Sequence, residues 1–284
     1  MTQYDGYITS AANVQILSKP RMFTLEPQKD STGQWKPIVE KIAIPSPTGC
    51  ISRRRLTALL EQSLSSGTST VISGRAGSGK TTLAIDFAEK SGRAIAWYKV
   101  DAPESKLEIF FSYLVASIRA QRPGFGSSLL SLLHNKSDVD QISHLAELFV
   151  FELERQAGLP LLIVIEDLHL VCDADWLVPF FRRLLPLLPA DVHMLITSRT
   201  MPPAPLWRMR SKQTLAVIEE DILSFTRDEA VKLFAHYGLT PEQASIAFDH
   251  SRGRAAALSS LAATLRFAET ELMKDSPLRQ LKAG

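Results

Sequence analysis

The sequence has almost no cysteine. Cys50 and Cys172 stand far apart in 284 residues, without the C-x-x-C spacing of zinc or redox sites. A disulfide-stapled secreted fold is thereby excluded, and both read as reduced or buried thiols of a cytoplasmic chain. Long apolar runs are missing too. The longest, Leu159 to Ile165, falls far short of the ~18–20 residues that span a bilayer. The opening Met1-Thr-Gln-Tyr-Asp-Gly has neither the basic nor the apolar region of a secretory leader. Nor is there an excess of one charge. With 32 Lys+Arg against 30 Asp+Glu the formal net charge is +2, which gives no ground for a dedicated nucleic-acid or membrane-surface binder. No internal repeat and no low-complexity tract occurs.

What is present is a globular composition, 45% hydrophobic and 22% charged, in a length that predicts about two domains. Residues 1–45 read differently from the rest, with several prolines and short apolar alternations (Arg21–Leu25, Pro37–Ile44) around a turn-like Asp30-Ser-Thr-Gly33. They predict an appended hairpin or extended arm, followed by a linker at Pro45–Gly49. Beyond it, β-branched runs at Thr70–Ser73, Ala94–Val100, Leu161–Ile165, Val192–Thr197 and Thr214–Ile218 alternate with helical patterns at about 52–65, 80–91, 105–121, 140–157 and 174–188. That alternation is the signature of βαβ units and a parallel sheet covered by helices on both faces. After Ile218 no strand pattern follows. Two capping boxes, Thr226-Arg-Asp-Glu229 and Thr240-Pro-Glu-Gln243, start helices, and a third helix at about 252–273 completes a small all-α domain over 220–284.

The chemistry concentrates at Gly74-Arg75-Ala76-Gly77-Ser78-Gly79-Lys80-Thr81, followed by Thr82, which satisfies the pattern G-x-x-x-x-G-K-[ST] between a predicted strand and an amphipathic helix. Glycines let the backbone curl so that successive N–H groups point at phosphate oxygens, and the helix N-terminus adds a favourable dipole. Lys80 is expected at the β and γ phosphates and the Thr81 hydroxyl on Mg²⁺. The fold class expected for 46–219 is therefore a P-loop NTPase sheet, sandwiched by helices and followed by the helical lid. A metal-holding carboxylate is expected at the end of a neighbouring buried strand, and Leu161–Ile165 runs into Glu166-Asp167. Glu166 reads as the Mg²⁺ partner, directly or through water, and Asp167 as the group that polarises the attacking water. The split of roles between the two stays open. The next strand ends in Ser198-Arg199, where an arginine either senses the γ-phosphate or is an exposed structural residue. His169 reads as structural. No His/Cys cluster or Ser-His-Asp arrangement competes.

These residues resemble the signal-transducing ATPases with numerous domains and, within them, the MalT-type ATPase module of LuxR-family transcription activators, over about residues 45 to 270. The most specific part is Leu195-Ile-Thr-Ser-Arg199-Thr-Met-Pro-Pro203-Ala-Pro205-Leu-Trp-Arg208-Met-Arg210, similar to a family run of Thr-Ser-Arg, a proline pair and Leu-x-Arg-x-Arg. Glu166-Asp167-Leu-His169 resembles the family's acidic pair followed by His. Ile51-Ser-Arg53 is similar to the segment that touches the adenine base, although plain helix-entry charge explains the same residues. The chain departs from the pattern in having Glu166 where Asp is commoner, and Gly253-Arg-Ala255 where Gly-x-Pro is usual. The resemblance implies a slow switch in which exchange of ADP for ATP drives self-association or binding of a partner regulatory protein. Nothing resembles a DNA-reading domain, so direct DNA binding is not expected. The chain is either the ATPase part of a longer regulator or a short protein using the module alone. A non-hydrolysing nucleotide-binding scaffold is the alternative, and a kinase or other phosphotransferase ranks below both, since no acceptor site or Arg-rich lid is apparent.

Overall fold

The computed structural model describes residues 37–46, 51–67, 69–133, 139–156 and 158–274. Its centre is a five-stranded sheet of β1 (Ser69–Ser73), β2 (Ala94–Lys99), β3 (Leu161–Glu166), β4 (Val192–Ser198) and β5 (Leu215–Ile218), in the spatial order β2-β3-β4-β1-β5. All the pairings are parallel, with Thr70 opposite Leu195 and Ile72 opposite Ile218. Every residue of β1, β3 and β4 is buried, as expected for a parallel sheet covered on both faces.

The period of two divides these strands between two cores. Leu161, Ile163 and Ile165 of β3, with Tyr98 and Met194, face a large cluster that includes Phe110, Phe111 and Phe180. Leu162 and Val164, with Trp97 and Leu195, face the other way, onto the helices Arg54–Ser65 and Lys80–Lys90 through Leu56, Leu60, Leu83 and Phe87. At about 1.5–3 kcal/mol for each fully buried large apolar side chain, these two layers are what fixes the positions of the strand ends. Edge-to-face contacts such as Phe111–Phe180, with centroids 4.7 Å apart, set the geometry within the first layer.

The helical domain consists of Arg227–His236, Pro241–Ser251 and Ala255–Lys274, with its own core of Phe225, Leu233, Phe234, Leu258 and Ala262. Both capping boxes form, Thr226 with Glu229 and Thr240 with Gln243.

One expectation is corrected. Pro37–Ile44, expected in an extended arm, contains a helical turn at Val39–Ile42. Ile38 and Ile42, four apart and so on one face, pack on the large core, while Lys41 bonds Glu104 and lies 5.1 Å above the Tyr113 ring. Glu104 is buried and accepts from the Tyr98 hydroxyl at 2.9 Å. The remaining arm and hairpin residues, the linker from Pro47 to Gly49, and Cys50 lie outside the described residues. Cys172 is a free, half-buried thiol whose pKa is raised by burial. Among the described residues no helix is long and apolar enough to cross a membrane.

Candidate nucleotide-binding site

The glycine loop leaves β1 where the amide of Gly74 donates to Ser198 O at 3.1 Å, tying it to the end of β4. Gly77 and Gly79 adopt φ of +78° and +90°, left-handed conformations that explain glycine at both places. Lys80, at the first turn of its helix, is buried and folds back over the loop, donating to the carbonyls of Gly74 (2.6 Å) and Arg75 (2.9 Å). Burial lowers its pKa, opposed by the charge of Asp167. The Thr81 hydroxyl donates to Glu166 Oε1 at 2.5 Å. Thr82, the next residue, is half-buried on the same helix.

Glu166 ends the buried strand β3 at 3% exposure. Its second oxygen, Oε2, is buried without a hydrogen-bond partner. A carboxylate with one oxygen on the loop's threonine and the other orphaned in a buried place fits a divalent cation. Among the described residues no group of three or more His, Cys, Asp or Glu side chains gathers to hold a metal.

Asp167 turns the chain out of β3 in a left-handed conformation (φ 59°, ψ 36°), pinned by its amide donating to Thr197 Oγ1 at 3.1 Å. Its Oδ1 lies 3.9 Å from Arg199 Nε and 3.7 Å from His169 Nδ1. His169 Nδ1 is buried without a hydrogen-bond partner, and burial lowers its pKa, opposed by Asp167. Lys80, Thr81, Glu166, Asp167 and Arg199 thus converge at the C-terminal ends of β1, β3 and β4, the edge where open α/β sheets bind ligands.

Ile51 and Arg53 lie against the helical domain. Ile51 packs against the helical domain's core. Arg53, only 4% exposed, donates to Leu223 O (2.5 Å) and Gly79 O (3.4 Å) and stacks 4.8 Å from the Phe225 ring. Burial brings its pKa down to about 10, with Glu229 opposing. Arg53 therefore ties the loop to the helical domain, a role beyond ordinary helix-entry charge.

Three contacts of the loop escape sequence reasoning. Glu220 accepts from the Arg75 amide (2.9 Å) and Nε (2.8 Å), and the amide bond is the main cause of its lowered pKa. Arg254 donates to Ala76 O at 3.0 Å. The Ala256 amide donates to Gly77 O at 2.9 Å. The only local signal was that Gly253-Arg-Ala255 falls where the resembled family has Gly-x-Pro; Glu220 carried none.

A left-handed glycine loop between a buried parallel strand and a helix, its threonine on a buried strand-end carboxylate, defines a P-loop NTPase module. Residues 52–197 match the AAA ATPase domain model, and the chain belongs to that family. It is 31% identical over 203 residues to the HTH-type transcriptional regulator MalT of Serratia proteamaculans, covering 69% of this chain and 22% of that protein. To MalT of Yersinia enterocolitica it is 31% identical over 165 residues, covering 58% and 18%. The chain thus spans about a fifth of the length of these relatives. The expected likeness to the MalT-type module is borne out. Among solved structures it is similar to a Walker-type ATPase of Pyrococcus abyssi (TM-score 0.49, 13% identity, 82% of this chain and 76% of that one). Thermotoga maritima RuvB is similar at a TM-score of 0.49 and 14% identity, over 78% of this chain and 64% of that one.

Proposed function

We propose that this chain is an ATP-binding switch module in a cytoplasmic regulatory system, hydrolysing ATP slowly and coupling the nucleotide state to self-association or to binding of a partner regulator of transcription. The observation that carries the reading is the 2.5 Å contact between Thr81 and the half-orphaned carboxylate of Glu166, next to Lys80. In this reading Lys80 and the loop amides bind and orient the β and γ phosphates and take up negative charge as it develops. Thr81 and Glu166 hold Mg²⁺, which neutralises charge on phosphate oxygens. Asp167 accepts a hydrogen bond from the attacking water and orients it. Arg199, about half exposed, reaches toward the γ-phosphate. Ile51 and Arg53, between the loop and the helical domain, serve the adenine side of the site. The lid contacts of Arg254 and Ala256 support the coupling, because a nucleotide that moves the loop also moves the atoms to which the helical domain is bonded.

The test is size-exclusion chromatography with light scattering under Mg·ADP and under a non-hydrolysable Mg·ATP analogue, with Lys80→Ala as control. A larger species with the ATP analogue alone, abolished by Lys80→Ala, supports the switch. Binding without any change of mass overturns self-association in this chain and leaves the scaffold reading, or a switch whose output is on a partner.

A further inference from the structure

Asp167 carries its carboxylate on a backbone that β3 itself does not supply. It is the first residue beyond that strand, and at φ 59°, ψ 36° it holds a left-handed conformation that a residue with a side chain keeps only where its surroundings enforce it. The enforcement comes from β4. The hydroxyl oxygen of Thr197, a fully buried residue, accepts from the Asp167 amide at 3.1 Å, and Arg199, two residues on, brings Nε to 3.9 Å from Asp167 Oδ1. We propose, on the reading of Asp167 as the group that orients the attacking water, that Thr197 is a positioning residue for the hydrolysis: by holding the Asp167 amide it fixes the direction in which the carboxylate meets that water.

The peptide between Glu166 and Asp167 is gripped at both ends. Its carbonyl accepts from the Val100 amide at 2.9 Å, and its N–H goes to Thr197. The first bond is between backbones and open to almost any sequence, whereas the second needs a side-chain oxygen at this one place. The alternation of β4 puts it there. Met194 and Ile196 face the large core, Leu195 faces the layer of the helix Lys80–Lys90, and Thr197 follows Leu195 on that same face. This is also the face on which Thr81 meets Glu166. A buried strand position opposite Ile72 is one that valine fills with the same shape and no polar atom to desolvate, so the hydroxyl is accounted for by the bond it makes. The adjacent Ser198 carbonyl accepts from the Gly74 amide at 3.1 Å, so the strand end that holds Asp167 is also the one against which the phosphate loop is fixed. Without the hydroxyl the Asp167 amide loses its partner, the backbone relaxes from the left-handed region, and the carboxylate swings away from the water.

Thr197→Val keeps the shape and branching of the side chain and removes the oxygen. Phosphate release under saturating Mg·ATP is expected to fall about tenfold with KM within about twofold, the split of an interaction that acts on the reacting water and not on nucleotide binding. Combined with Asp167→Asn, Thr197→Val is expected to cost less than about twofold more, because the carboxylate it positions is already gone. Thr197→Ser keeps the hydroxyl, is expected to retain most of the rate, and is a test that does not depend on the valine variant folding. A second readout is the affinity for Mg·ADP with aluminium fluoride, which imitates the phosphoryl group in transfer: about tenfold weaker in Thr197→Val, with Mg·ADP alone unchanged. If the wild type binds the fluoride complex no more tightly than Mg·ADP, the hydrolysis reading fails and takes the role of Thr197 with it. If the wild type binds it tightly and Thr197→Val matches the wild type in rate and in that affinity, the role of Thr197 alone is overturned. It is overturned as well by an undiminished loss in the Asp167→Asn background, or by a loss of about tenfold in Thr197→Ser, either of which leaves the residue a matter of packing.

Discussion

The amide of Ala256 donates to the carbonyl of Gly77 at 2.9 Å, so the helical domain is bonded to the phosphate loop itself. A Cβ on Gly77 would stand 2.7 Å from that of Ala256, in a backbone already at φ +78°. Gly77→Ala is therefore expected to lower stability by about 1–2 kcal/mol and to lift the helical domain. Urea midpoints and the radius of gyration in solution check this; an unchanged radius with an unchanged midpoint contradicts the contact.

Glu166→Gln preserves an acceptor for the Thr81 hydroxyl and removes the charge that a cation needs. Nucleotide affinity without Mg²⁺ is expected to change little, whereas the gain on adding Mg²⁺ falls by about tenfold or more. Titration of a fluorescent nucleotide with and without Mg²⁺ measures both quantities.

Asp167→Asn is a backbone-conservative change, because asparagine is also tolerated at the positive φ this position demands. Phosphate release is expected to drop by about two orders of magnitude with nucleotide affinity kept within a few-fold. A rate equal to that of the wild type removes Asp167 from the mechanism and favours the scaffold reading.

His193, buried in β4 beside the Thr70 hydroxyl at 3.3 Å, has its pKa brought down to about 4 by burial, aided by the charge of Arg93. The unfolded chain takes up this proton near pH 6.5 and the native one only near 4, so stability present above pH 6.5 is lost as the pH falls toward 4. At 1.36 kcal/mol per unit the loss is of order 3 kcal/mol. In His193→Leu the Thr70 hydroxyl keeps its 2.6 Å bond with Ser63, and urea midpoints at pH 7.5 and 5 are expected to differ less than in the wild type. Equal pH dependence in the two proteins contradicts the assignment.

Arg53→Lys keeps the charge and loses the planar fork that serves Leu223 O, Gly79 O and the Phe225 ring together. A loss of about 2 kcal/mol is expected, with faster limited proteolysis between the two domains. Midpoints within error of the wild type leave Arg53 as an ordinary helix-entry charge.

The parts of this fold that depend on neighbours in the chain were legible in the sequence. The apolar run Leu161–Ile165 predicts a strand buried on both faces, Thr226-Arg-Asp-Glu229 predicts a helix start, and the Gly74–Thr81 spacing predicts the loop. Pro37–Ile44 misled because Ile38 and Ile42 satisfy a helical spacing as well as an apolar alternation, and only packing on the large core decides between them. Arg53 was legible as a charge before a helix but not as a buried one. The pairings of Glu220 with Arg75 and of Arg254 with Ala76, 145 and 178 residues apart in sequence, leave no local pattern. They follow from where the strand ends and the helical domain come together.

Four consecutive carbonyls of the loop are spoken for: those of Gly74 and Arg75 by Lys80, that of Ala76 by Arg254 and that of Gly77 by Ala256. A peptide group is a rigid plane, so its oxygen and its nitrogen turn as one body. The plane joining Ala76 to Gly77 carries an arginine of the helical domain at its oxygen and the Gly77 N–H at its other end. An anion that pulls on that N–H rotates the oxygen under the arginine, and the arginine resists the rotation in return. The Ala76–Gly77 plane and the Gly77–Ser78 plane after it each form a small rocker, with an N–H for charge at one end and the helical domain at the other, so the two ends are joined through a few torsion angles.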